Sequence, residues 1–120
     1  MKNEEKDLLP RTKIFARRII RLYCNLSKTD MVAQVLGKQV LRSGTSVGAN
    51  YREANRARSK AEFISKMGDC LKEADETLYW LELLLDEQIV PAAKLQPLTA
   101  EASELVAIFI TIIKRARGHE

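Results

Sequence analysis

Six cations are the residues in this chain whose type and spacing could do chemistry: Arg17, Arg21, Lys38, Arg42, Arg52 and Arg56. Lys38, Arg42, Thr45, Ala49, Arg52 and Arg56 recur at intervals of 4, 3, 4, 3 and 4, so on a helix they form one straight row with cations toward both ends and small residues between. Lys13, Arg17, Arg21 and Lys28, flanked by Arg18, make a second stripe with no acid among its members. Rows of this kind suit the backbone of RNA or DNA, where affinity comes from counterion release more than from base contacts. They suit equally well an acidic helix of a neighbouring subunit. No recognition helix or aromatic RNP platform accompanies them, so sequence-specific reading is not indicated.

Other chemistries find little to build on. His119 is the only histidine and lies at the chain end, which leaves no ligand set for a metal and no base for a Ser/His/Asp arrangement. Bundle di-metal sites need Glu-x-x-His pairs, and none occurs. Glu73 and Glu76, one helical turn apart, are expected to pair with basic residues of an adjacent helix. Ser43, Ser46 and Asn50 fall at or near a core face, where such groups usually hydrogen-bond across a bundle and fix register. The segment Gly44-Thr-Ser-Val-Gly48 invites comparison with a phosphate loop, but it lacks the GxxxxGK[ST] spacing and a preceding strand. The expectation is a protein that is not an enzyme and takes no cofactor.

The elements that must position the cations are helices. Five glycines and three prolines in 120 residues leave few breakers, and 46% hydrophobic with 30% charged residues is a globular balance. The length suits a single domain with one modest core. Residues 1–60 carry 14 Lys/Arg against 5 Asp/Glu, and residues 61–120 carry 6 against 11; such asymmetry points to an anionic partner or to neutralisation between the halves. The charged start MKNEEKDLLPR has no apolar signal core, no uninterrupted apolar run reaches the ~20 residues of a membrane helix, and Cys24 and Cys70 make no disulfide framework. The expected compartment is the cytoplasm, with no membrane partner.

Four helices are expected, near residues 9–27, 30–57, 60–88 and 97–117. Phe15, Ile19, Leu22 and Leu26 line the first. Thr29 or Asp30 can cap the second, whose core register runs Val32, Leu36, Val40, Ser43, Val47, Asn50, Tyr51 and Ala54. Ser59-Lys-Ala-Glu62 matches a capping box for the third, with Phe63, Met67, Cys70, Ala74, Leu78, Leu81 and Leu85 inward. Pro97 or Thr99 would start the fourth, whose apolar residues Leu105, Val106, Ile108, Phe109, Ile110, Ile112 and Ile113 cover more of the circumference than one core contact needs. Short loops between amphipathic helices imply an all-α, antiparallel up-down four-helix bundle. Tyr79, Trp80 and Leu83 fall outside the core stripe, and Leu41, Gly44 and Gly48 lie to one side of theirs; with Ile108 they are the expected contacts between subunits of a homo-oligomer.

The stretches Gln39–Ala54 (QVLRSGTSVGANYREA), Phe63-Ile64 and Lys72–Glu82 (KEADETLYWLE) resemble the four-helix-bundle proteins encoded by intervening sequences of bacterial 23S ribosomal RNA genes, a family that includes the accessory variability proteins of diversity-generating retroelements. The core of the resemblance is Ser46-Val47-x-x-Asn50 followed by Glu53; Ala54 departs from it, since many members have Gly there. The resemblance spans essentially the whole chain. It implies a bundle that assembles into a homopentameric, barrel-like ring. For the retroelement members it also implies a positive surface that binds nucleic acid and a partner reverse transcriptase.

Overall fold

The computed structural model describes residues 7–118; the expectations placed on the first residues and on His119 lie outside them. Four helices run in chain order, α1 (Leu8–Cys24), α2 (Met31–Asn55), α3 (Lys60–Asp86) and α4 (Ala92–Arg117), as an elongated up-down bundle of 50 × 21 × 21 Å. Consecutive helices pack against one another along their lengths, and α1 and α4 meet over far fewer residues.

Local chemistry sets the helix ends. Asn25 Nδ2 donates to the Arg21 carbonyl at 2.9 Å, which closes α1 earlier than its apolar period suggests. Asp30, not Thr29, caps α2 by accepting from the Ala33 N–H at 3.1 Å. Ser59 Oγ accepts from the Glu62 N–H at 3.0 Å and starts α3. At the end of α3, the Ile89 N–H reaches the Leu84 carbonyl and the Gln88 N–H reaches that of Leu85, each at 3.0 Å. This is a Schellman closure with Gln88 at φ 56 where glycine is the usual occupant. The fourth helix starts at Ala92 rather than at Pro97. Pro97, its sixth residue, forgoes only one hydrogen bond, to the Ala93 carbonyl, and Thr99 donates to the Gln96 carbonyl at 2.9 Å instead of capping.

The core runs through Phe15 and Ile19 of α1, Val40, Val47 and Tyr51 of α2, Met67, Cys70, Ala74, Leu81 and Leu84 of α3, and Leu95, Ala102, Leu105 and Phe109 of α4. In α2 the expected register holds at Val40, Ser43, Val47, Tyr51 and Ala54, which are buried. It differs at the start, where Ala33 is buried while Val32 is 55% exposed, and Leu36 and Asn50 are only half-buried. In α3 the centre of the stripe includes Thr77 and Leu84, with Phe63, Leu78 and Leu85 packed at its margin. The Ser43 and Thr77 hydroxyls lie 2.8 Å apart in the core. Each also reaches a carbonyl one turn back, Gln39 at 2.9 Å and Glu73 at 2.7 Å, so neither buried oxygen is left unsatisfied.

An ion cluster joins α1 and α4. The Arg11 guanidinium donates two bonds of 2.8 Å to the Glu101 carboxylate and a third of 2.8 Å to Glu104. This bidentate geometry holds Arg11 firmly protonated, its pKa raised chiefly by the bond to Glu101. By length and composition α4 is apolar enough to cross a membrane. In this fold Glu101 and Glu104 interrupt it, and Leu95, Leu98, Ala102, Leu105, Phe109 and Ile112 are buried in the bundle.

Candidate nucleic-acid interface

The glycines of α2 determine how the cationic rows meet. A methyl group placed at Gly44 would lie 2.8–2.9 Å from the side chain of Ile19, and one at Gly48 would lie 3.2 Å from Thr12 Oγ1. The helix that approaches them is therefore α1 of the same chain, a close approach that accounts for both glycines within one chain, where the sequence reading placed them at a subunit contact. Close approach is what lets these glycines persist in a helix despite a propensity cost of about 1 kcal/mol each.

Beside that approach, α1 and α2 enclose a groove of about 570 Å³. Its floor is small or uncharged, with Thr12, Ala16, Thr45, Gly48 and Ala49, and its cations are Lys13, Arg52 and Arg56. Among the described residues no carboxylate lines it. Arg52 and Arg56 are exposed, and among the described residues no acid pairs with Lys13, Arg52 or Arg56. A trough with cations on its rim and small side chains on its floor admits a phosphate chain close to the backbone.

The other expected contact residues do not converge there. Arg42 is held by two carboxylates of α3, Glu73 at 3.4 Å and Glu76, to which its Nη2 donates. Its charge is thus already neutralised within the chain, as the spacing of Glu73 and Glu76 suggests. Arg21 lines a separate cavity at the far end of α1. Lys38 and Arg17 are exposed and line neither cavity. The feature that sequence reading missed is Lys13 as the partner of Arg52 and Arg56: only the α1–α2 crossing, set by Gly44 and Gly48, brings it beside them.

The expected intersubunit residues also divide. Leu41, Trp80 and Ile108 are half-buried against the chain's own core, and Leu83 is half-buried. Tyr79 is 55% exposed and meets Trp80 edge-on at 5.1 Å between ring centroids, while Trp80 Nε1 donates to Glu76 at 3.3 Å. Further apolar side chains stand in solvent, notably Ile14, Met31 and Val35, which the sequence reading did not single out, and Val32, which it placed in the core.

Among the described residues no group of three or more His, Cys, Asp or Glu could hold a metal. Cys24 is exposed and Cys70 buried; burial, reinforced by Asp69, pushes the Cys70 thiol up to about 12 and leaves it an inert core group.

The family model for 23S rRNA-intervening sequence proteins matches residues 4–111. A crystallised protein of unknown function from the S23 ribosomal protein family of Bacteroides thetaiotaomicron is 41% identical; the match covers 89% of this chain and 98% of that one, with a TM-score of 0.82. No curated protein matches the chain. With four helices in the expected order and a family match across nearly its whole length, the chain belongs to the 23S rRNA-intervening sequence protein family.

Proposed function

We propose that the protein is a non-enzymatic, homo-oligomeric accessory protein that binds RNA or DNA through the groove between α1 and α2. The observation that carries this reading is the groove lined by Lys13, Arg52 and Arg56, where among the described residues no carboxylate lies and none pairs with these cations, while Arg42 of the same cationic row is neutralised by α3. Backbone phosphates are the natural occupants, because such a surface offers charge without a base-reading element. Arg17, Arg21 and Lys38 would extend the contact along the outer faces. The exposed Tyr79 and the apolar residues at the start of α2 support self-association, for which the family resemblance supplies a five-membered ring. They also support a second reading, a scaffold for a protein partner. A reverse transcriptase is the partner class that the resemblance adds. The cytoplasm is the compartment that fits these partners.

Light scattering of the protein alone and mixed with RNA or duplex DNA oligomers at low salt tests both parts. The expected outcome is a multimer that gains mass with nucleic acid. A single-chain mass overturns the oligomer, and an unchanged mass in the mixture overturns the nucleic-acid role.

A further inference from the structure

A second cavity, of about 410 Å³, sits at the end of the bundle where α1 stops and α4 begins. Its floor is apolar and includes Leu26 and Leu98, 6% and 5% exposed. Its charged walls are Arg18 and Arg21 of α1 and Lys94 of α4. None of the three has an ion-pair partner among the described residues. Arg18 is moreover half-buried, which raises the cost of leaving a guanidinium without an acceptor. Asp30 is the one acid in the lining among the described residues, and its Oδ1 accepts from the Ala33 N–H. The adjacent start of α4 has no side-chain cap, since Pro91 precedes it; that leaves the positive end of the helix dipole at the same wall.

This arrangement differs in kind from the α1–α2 groove. That groove has a floor of small residues. This cavity places three cations over a buried apolar floor, a combination that recognises a charged head and an apolar body together. Two guanidiniums favour a planar or tetrahedral oxyanion, which each can bind through two N–H donors. The competing account is that the Arg18 stem merely covers Leu22 and Leu26 with its charge in water. It predicts no ligand.

We propose that the cavity between the end of α1 and the start of α4 binds a small organic anion, a carboxylate or phosphate head on a compact apolar body, held by Arg18, Arg21 and Lys94. The site shares no lining residue with the α1–α2 groove, though its Arg21 is also one of the cations proposed to extend the nucleic-acid contact.

Two probes distinguish the head groups, octanoate and phenyl phosphate, titrated into the full chain in phosphate-free buffer and followed by amide NMR. The neutral analogues are 1-octanol and benzyl alcohol. The expected result is saturable binding of at least one anion, with shifts centred on Leu22, Leu26 and Leu98. Affinity should fall about tenfold or more for the neutral analogue and for Arg18→Gln, the loss expected of one charge-assisted hydrogen bond. Lys94→Gln, at an exposed position, should weaken binding without disturbing the fold. The double variant Arg52→Gln/Arg56→Gln should bind the probe as the parent does, whatever becomes of nucleic-acid binding. Preference for octanoate or for phenyl phosphate assigns the head group. The proposal is overturned by absence of saturable binding of both anions, by equal binding of the neutral analogues, or by parental affinity in both Arg18→Gln and Lys94→Gln.

Discussion

Arg42 on α2 donates to Glu76 on α3, and this ion pair splits what reads in sequence as one continuous cationic row. Removing the Arg42 charge should therefore cost little in nucleic-acid affinity. Arg42→Gln should lower stability by only about 0–1 kcal/mol, as expected for a pair whose cation is half-exposed to solvent, and leave binding near parental. Urea denaturation and fluorescence anisotropy on the same preparation check both halves.

The two glycines Gly44 and Gly68 should respond oppositely to alanine. At Gly44 a methyl group meets the fully buried, β-branched Ile19, and overpacking of about 1–3 kcal/mol opposes a propensity gain of about 1 kcal/mol. At Gly68 nothing lies within 4 Å of the added carbon, so about 0.5–1 kcal/mol of stabilisation is expected. Denaturation midpoints should move down for Gly44→Ala and up for Gly68→Ala. Equal shifts would mean that α1 does not approach α2 at Gly44.

These glycines also mark how far the sequence could be read. The starts of α2 and α3 were legible because Asp30 and Ser59 act through bonds to N–H groups three residues on. The start of α4 was not, because Pro97 reads as a breaker although the helix tolerates it at a solvent-facing position. Hydropathy favoured Val32 over Ala33, yet it is the smaller Ala33 that is buried. Hydropathy ranks Leu78 above Thr77 because it does not register that the buried Thr77 hydroxyl is satisfied by Ser43 opposite and by the Glu73 carbonyl one turn back. For the site, the spacing found Arg52 and Arg56, but their proximity to Lys13 and the loss of Arg42 to Glu76 depend on helix crossings that a linear pattern does not contain.

Gln88 should be replaceable by glycine with a gain. Its φ of 56 places a side chain in the left-handed region, which costs a non-glycine residue about 1–2 kcal/mol. Gln88→Gly is expected to stabilise by about 0.5–1 kcal/mol after the entropic penalty of glycine. Thermal unfolding measures it, and a lower midpoint would contradict the closure described for α3.

The two thiols should separate cleanly by reactivity. Cys24 should react with a thiol reagent at pH 8 in the native protein, and Cys70 only on unfolding. Burial raises the Cys70 pKa to about 12 from 9.0, so the unfolded chain loses this proton first as pH rises. Stability from this group is thus complete below pH 9 and lost progressively from there toward pH 12. Native reaction of both cysteines at pH 8 would contradict the core placement of α3.

The most direct test of the central claim is the salt dependence of RNA and DNA affinity, measured for the parent, Arg42→Gln and the groove variants Lys13→Gln, Arg52→Gln and Arg56→Gln. Affinity should fall log-linearly with salt, and each groove variant should reduce the slope by about 0.7–0.9, the value of one lost phosphate contact. The slope for Arg42→Gln should match that of the parent. No binding at low salt, or groove variants indistinguishable from Arg42→Gln, would contradict the assignment of the α1–α2 groove.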